Sequence, residues 1–200
     1  MRTRTKLAKR LTAGDVLPMS SYGSIRRKKR DEISKIKKTR RVNVGPFATL
    51  HFENYDTMWH QVHEMLYVEK GGKSQMIEEL SAYNPLIPNG SELIATLMLE
   101  IDDSIRRERE LRRLTGIEKT IELRISESIV SAIPEDDVYR TKSDGKTSAV
   151  HFIRFSLSEK NKKLFADLST KIAIVFLHPN YQHTSNISKE IRESLIQDLI

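Results

Sequence analysis

A chain of 200 residues without cysteine has the length of one ordinary domain. It excludes disulfides, a thiol nucleophile, thiolate-held zinc and a Cys-ligated iron–sulfur cluster. Formal charge is +7 but unevenly spread: residues 1–45 hold 15 Lys+Arg and 3 Asp+Glu, net +12, which leaves −5 on residues 46–200.

A basic arm on a mildly acidic body suits nucleic acid, anionic lipid or an acidic protein partner, or packing against the body itself. At 38% hydrophobic and 30% charged residues the chain is globular in composition. No uncharged apolar run approaches the length of a membrane span. No apolar signal region follows the basic start, so the cytoplasm is the expected location.

Residues 1–10 read as a basic flexible tail, and 11–200 as a single α+β domain. A first helix spans about 22–40. Tyr22, Ile25, Ile33 and Ile36 form its narrow apolar stripe, and Arg26, Arg27, Lys28, Arg30, Lys35, Lys37 and Lys38 crowd the rest as polyanion-binding candidates. A hairpin over 42–53 turns at Gly45-Pro46. Helices follow over 58–69, capped by Asp56 or Thr57, and 75–83, capped by Ser74.

Residues 93–101, LIATLMLEI, read as a strand buried on both faces. An Arg/Glu-rich helix over 102–114 ends at Gly116. Short strands follow over 120–125 and 128–133, then a polar loop over 136–147. Next come a strand (149–157), a helix (159–168), a strand (171–177) and a last helix, capped by Asn186 or Ser188, reaching 200. Strands gather in the second half without βαβ alternation. The expected fold is therefore α+β, a mostly antiparallel sheet of about five to seven strands packed with about six helices.

Gly71-Gly72-Lys73-Ser74 lacks the first glycine and the preceding strand of a phosphate loop, and reads as a turn and cap. The six histidines carry more. His60, His63, Glu64 and Tyr67 share the helix face opposite Met58, Val62, Met65 and Leu66. His151 shares a strand face with Ile153 and Phe155, and must have a partner there. His178, Tyr181 and His183 follow the last strand. Inward-facing imidazole and carboxylate suit iron, manganese or zinc. If the last two strands pair, His151 and His178 could converge, with Glu64 as a hard oxygen ligand and Glu53 in reserve. The competing account is a buried polar network without metal.

Seven blocks, in order, resemble one family. They are Leu11-Thr12-Ala13-Gly14-Asp15-Val16-Leu17-Pro18; Arg40-Arg41-Val42 with Gly45-Pro46 and Phe52-Glu53; Gln61 with Glu64-Met65-Leu66 and Glu69; Ala82-Tyr83-Asn84-Pro85-Leu86-Ile87-Pro88; Ala95-Thr96-Leu97-Met98; Thr147-Ser148-Ala149-Val150-His151-Phe152; and His178-Pro179 with Tyr181. Together, over about 11–199, they are similar to a bacterial family catalogued as a domain of unknown function, number thirty-five hundred and one. The resemblance implies a neighbourhood of rubrerythrin-like proteins and iron–sulfur oxidoreductases, hence a redox partner and an oxidative-stress setting. The family pattern has an aromatic residue and a glutamine where this chain has His60 and His63. That moves the expected site to Glu53, Gln61, Glu64, His151, His178 and Tyr181.

Two functions follow as expectations. One is a metal-binding accessory or enzyme of iron and redox metabolism. The other is a non-catalytic module whose basic first helix contacts nucleic acid or an acidic protein. Tyr22 is the only aromatic residue in 1–45, so stacking on single-stranded bases has little support there, and duplex or structured RNA backbone is the better fit.

Overall fold

The computed structural model describes residues 10–135 and 145–200. The expected tail (all but its last residue) and most of the polar loop over 136–147 lie outside them. Among the described residues, six α-helices surround two antiparallel sheets of five and four strands.

Helix α1 (Met19–Lys38) starts three residues earlier than its stripe implies. It buries Tyr22 and Ile33 and half-buries Ile25 and Ile36, as the periodicity requires. The hairpin is β1 (Arg41–Val44) and β2 (Ala48–Phe52). Helix α2 (Tyr55–Glu69) is capped by Asn54, not by Asp56 or Thr57. Asn54 accepts from the Thr57 amide at 3.0 Å, and the Thr57 hydroxyl accepts from the Asn54 amide at 2.9 Å. Lys70 in the left-handed region ends α2, and α3 (Gly72–Tyr83) begins after Gly71 rather than Ser74.

Strand β3 is Glu92–Leu99, helix α4 Ser104–Arg113, and β4 Ile121–Ile125. Strands β5 (Ser128–Ser131) and β6 (Ile133–Pro134) are adjacent in the chain but belong to different sheets. Strand β7 (Val150–Ser156), α5 (Glu159–Ala166) and β8 (Ile172–His178) follow the sequence pattern. Strand β9 (Tyr181–Asn186) stands where the sequence suggested a loop. Its run of Gln, His, Thr, Ser and Asn is mostly exposed, so no apolar alternation announced it. Helix α6 (Lys189–Ile196) is capped by Ser188.

The sheet orders are β1-β2-β3-β7-β6 and β5-β4-β8-β9. Val42, Leu50, Leu97 and Phe155 of the first join Leu123, Ile174 and Phe176 of the second in one core, the face-to-face packing of two sheets. Leu111 and Leu114 after α4's start, Phe165 of α5 and Leu195 of α6 complete it. On the other face of the first sheet, Ile94 and Phe152 pack under Met58, Val62 and Leu66 of α2. This double cover explains why β3 is apolar at almost every position: it lies between two cores.

Candidate functional site

The metal expectation depended on the last two apolar strands pairing, and they do not. Strand β7 pairs with β3 and β6, whereas β8 pairs with β4 and β9. His151 and His178 therefore stand on different sheets. Among the described residues no three His, Asp or Glu side chains gather in a way that could hold a metal.

Each candidate ligand has local work. His151, almost fully buried, places Nε2 at 2.9 Å from the Ser148 carbonyl and 3.2 Å from Thr147 Oγ1, with Nδ1 facing Glu118 at 3.8 Å. His178 donates from Nε2 to the Thr115 carbonyl and accepts at Nδ1 from the Asn180 amide, both at 3.2 Å. Glu53 accepts from the hydroxyls of Thr57 at 2.6 Å and Thr96 at 2.7 Å. Tyr181 donates to the Val44 carbonyl, and His183 packs on the Tyr181 ring at 4.5 Å. Gln61 donates weakly to Tyr83 at 3.4 Å.

The polar face of α2 is not turned to the sheet, as a role for Glu64 in that ligand set required. It is covered by α1. Tyr22 sits between the helices, its ring 4.8 Å from His63, 5.9 Å from Trp59 and 5.9 Å from Tyr67. Its hydroxyl donates to Glu64 Oε1 at 2.7 Å. Arg26 forks onto the same carboxylate, Nε at 2.9 Å and Nη2 at 2.8 Å, the bidentate geometry that favours Arg over Lys. Arg26 holds Glu64 down at about 2, assisted by the Tyr22 hydroxyl against the opposing effect of burial. Burial, and then Glu64, push the Tyr22 phenol well above its usual range.

His63 is wholly buried. Its Nδ1 donates to the Trp59 carbonyl at 2.7 Å, and its Nε2 accepts from the Leu17 amide at 3.0 Å. Both bonds together require the neutral imidazole, and burial lowers its pKa accordingly. Trp59 donates to the Asp15 carbonyl at 2.9 Å. The segment before α1 is thus fastened to α2 by two side chains of the Trp59–His63 turn.

Next to this junction lies an open depression of about 480 Å³, lined by Arg26, Arg27, Arg30, Asp31 and Ser34 of α1 and by Tyr67 of α2. The Arg26 guanidinium stacks over the Tyr67 ring, 4.7 Å from its centroid. A Cβ on Gly23 would meet Tyr67 Cε2 at 3.0 Å, so glycine there lets the ring approach the α1 backbone. Along α1, Arg27, Lys28, Arg30, Lys35 and Lys38 are exposed, and Arg26 and Lys37 are partly covered. Sequence reasoning named the arginines, placed Tyr67 on the histidine face of α2 without linking it to them, and missed Asp31 and Ser34. Gly23, Arg27, Arg30 and Ser34 recur at helical spacing and carried the available signal, but the wall from α2 did not.

The architecture is that of an α+β protein with two facing antiparallel sheets, a helical layer over one of them, and a basic helix at its surface. The family profile described as Protein of unknown function (DUF3501) matches residues 10–199, and the chain belongs to that family. It is similar to a crystal structure, at 1.90 Å resolution, of a novel protein of unknown function from Burkholderia pseudomallei K96243. The two share 36% identity with a TM-score of 0.88, over 95% of this chain and 99% of the other. No curated protein matches. Among the described residues no helix is long and apolar enough to cross a membrane.

Proposed function

We propose that the protein is a non-catalytic polyanion-binding module, with the solvent face of α1 as its docking surface and nucleic-acid backbone as its ligand. One observation carries this reading. Arg27, Lys28, Arg30, Lys35 and Lys38 are exposed on a single helix. None of them has a hydrogen-bond or ion-pair partner among the described residues. At 100° per residue they fall within an arc of about 160°, opposite the buried stripe of Tyr22, Ile25, Ile33 and Ile36. Five cations without an ion-pair partner on one rigid rod match a line of phosphates, and their binding energy comes largely from counterion release.

Holding iron, manganese or zinc through His151, His178, Glu64 and Glu53 finds less support, because these donors stand on separate elements, each already hydrogen-bonded locally. A redox protein partner rests on the family resemblance alone.

The test is fluorescence anisotropy of a labelled duplex titrated with protein across a salt series. Affinity should fall with a log–log slope of about 0.9 per phosphate contact on B-form DNA. It should also weaken when Lys35 and Lys38 are changed to Gln. Binding that ignores salt and these substitutions overturns the reading. Binding of an acidic protein with no binding of nucleic acid replaces the ligand and keeps the surface.

A further inference from the structure

We propose that the depression beside Tyr67 is a ribose-phosphate subsite, in which Arg27 and Arg30 take a phosphate and Asp31 with Ser34 reads the adjoining 2′-hydroxyl. The surface then prefers RNA to DNA. The inference rests on the polyanion reading and specifies its ligand.

The first support is preorganisation. Arg26 does not need a ligand to hold it, since it is forked on Glu64 and stacked on Tyr67. It neutralises Glu64, so that carboxylate does not repel a phosphate at the same wall. The wall itself is set by Gly23, which lets Tyr67 lie against α1. A volume of about 480 Å³ falls within the range of small-ligand sites, about 300–1,000 Å³.

The second support is unspent hydrogen-bonding capacity. Arg27 and Arg30 are neighbours one turn apart, about 5–6 Å between Cβ atoms, close enough for two guanidinium groups to share one phosphate. Neither has a partner among the described residues.

The third support is a charge that a plain polyanion surface would not include. Asp31 lines the same depression and is exposed. It stands four residues from Arg27 and one from Arg30, yet pairs with neither. A carboxylate among cations weakens phosphate binding unless it accepts a hydrogen bond from the ligand. The Ser34 hydroxyl beside it can donate or accept. Among phosphate polymers, RNA places a hydroxyl donor next to each phosphate and DNA does not.

The experiment compares duplex RNA and duplex DNA of one sequence, at one salt concentration, by anisotropy. Circular dichroism confirms that each variant is folded. Wild type should bind RNA roughly three- to tenfold more tightly, the range of one net hydrogen bond. Asp31→Ala should bring that ratio to near one, with DNA affinity unchanged or raised. Arg27→Gln with Arg30→Gln should weaken both ligands. Lys35→Gln with Lys38→Gln should weaken both and keep the ratio. Equal affinity for RNA and DNA in wild type, or a preference that survives Asp31→Ala, overturns the subsite and leaves the polyanion reading intact. Failure to bind either duplex overturns the subsite and nucleic acid as the ligand of this surface.

Discussion

Tyr181 donates its hydroxyl proton to the Val44 carbonyl at 2.6 Å and accepts from the Ala48 amide at 3.0 Å, fastening β9 of one sheet to the β1–β2 turn of the other. Two sheets that share a core have no backbone ladder between them along this edge. One buried phenol therefore supplies the polar link. Tyr181→Phe keeps the ring contacts with Phe47 and Phe176 and leaves the Val44 carbonyl and Ala48 amide without this partner. We expect a loss of about 1–3 kcal/mol, read from urea midpoints at unchanged slope.

Gly45 occupies the same turn at φ 71°, and a Cβ there would meet Tyr181 Oη and the His183 ring at 2.6 Å. Gly45→Ala combines a left-handed conformation with a collision, so it should cost more than the roughly 1–2 kcal/mol of the backbone term alone. Destabilisation below that figure would show that β9 can move away freely.

Arg40 and Asp198 form an ion pair at 2% and 4% exposure. Arg40 also donates to the carbonyls of Phe52 and Glu53, each at 2.9 Å. It joins the end of α1 to the C-terminal turn. Removing Arg40 strands the buried Asp198 carboxylate and the carbonyls of Phe52 and Glu53. Arg40→Met should therefore destabilise by about 3–5 kcal/mol, and Arg40→Met with Asp198→Leu should cost less than the sum of the single changes.

Two carboxyls should give pH effects of opposite sign. Glu64 is depressed from 4.5 to about 2 by Arg26. Its contribution is complete above the unfolded value and is lost as pH falls through 4.5 toward 2. Asp198 is raised from 3.8 to about 6, burial outweighing Arg40. Its contribution is complete below 3.8 and is lost as pH rises through 6. Carboxyl carbon NMR should resolve both titrations. Glu64→Gln should remove the acid limb, and Asp198→Asn the limb between about 4 and 6.

His63 should govern the docking of the segment before α1. Burial lowers its folded pKa below 6.5, so its contribution is present above 6.5 and is lost as pH falls through the folded value. Protonating Nε2 removes the acceptor of the Leu17 amide. Once corrected for the intrinsic rate, hydrogen exchange at Leu17 should accelerate at acid pH more than at amides of β3. Exchange that follows β3 at every pH would refute this coupling.

What could be read without coordinates was local. The stripe on α1, the apolar run of β3, the inward face of His151 and the Ser188 cap follow from helical and strand periods and from capping chemistry, which involve only near neighbours in the chain. The tertiary structure decided which strands pair and what covers each helix face. β8 joins β9, a strand without apolar alternation, so His151 and His178 part company. The polar face of α2 turns toward α1, where Arg26 and Tyr22 occupy Glu64. These outcomes depend on side chains tens of residues apart competing for the same partners. Hydrophobic periodicity reports how much of a segment is buried and does not encode against what.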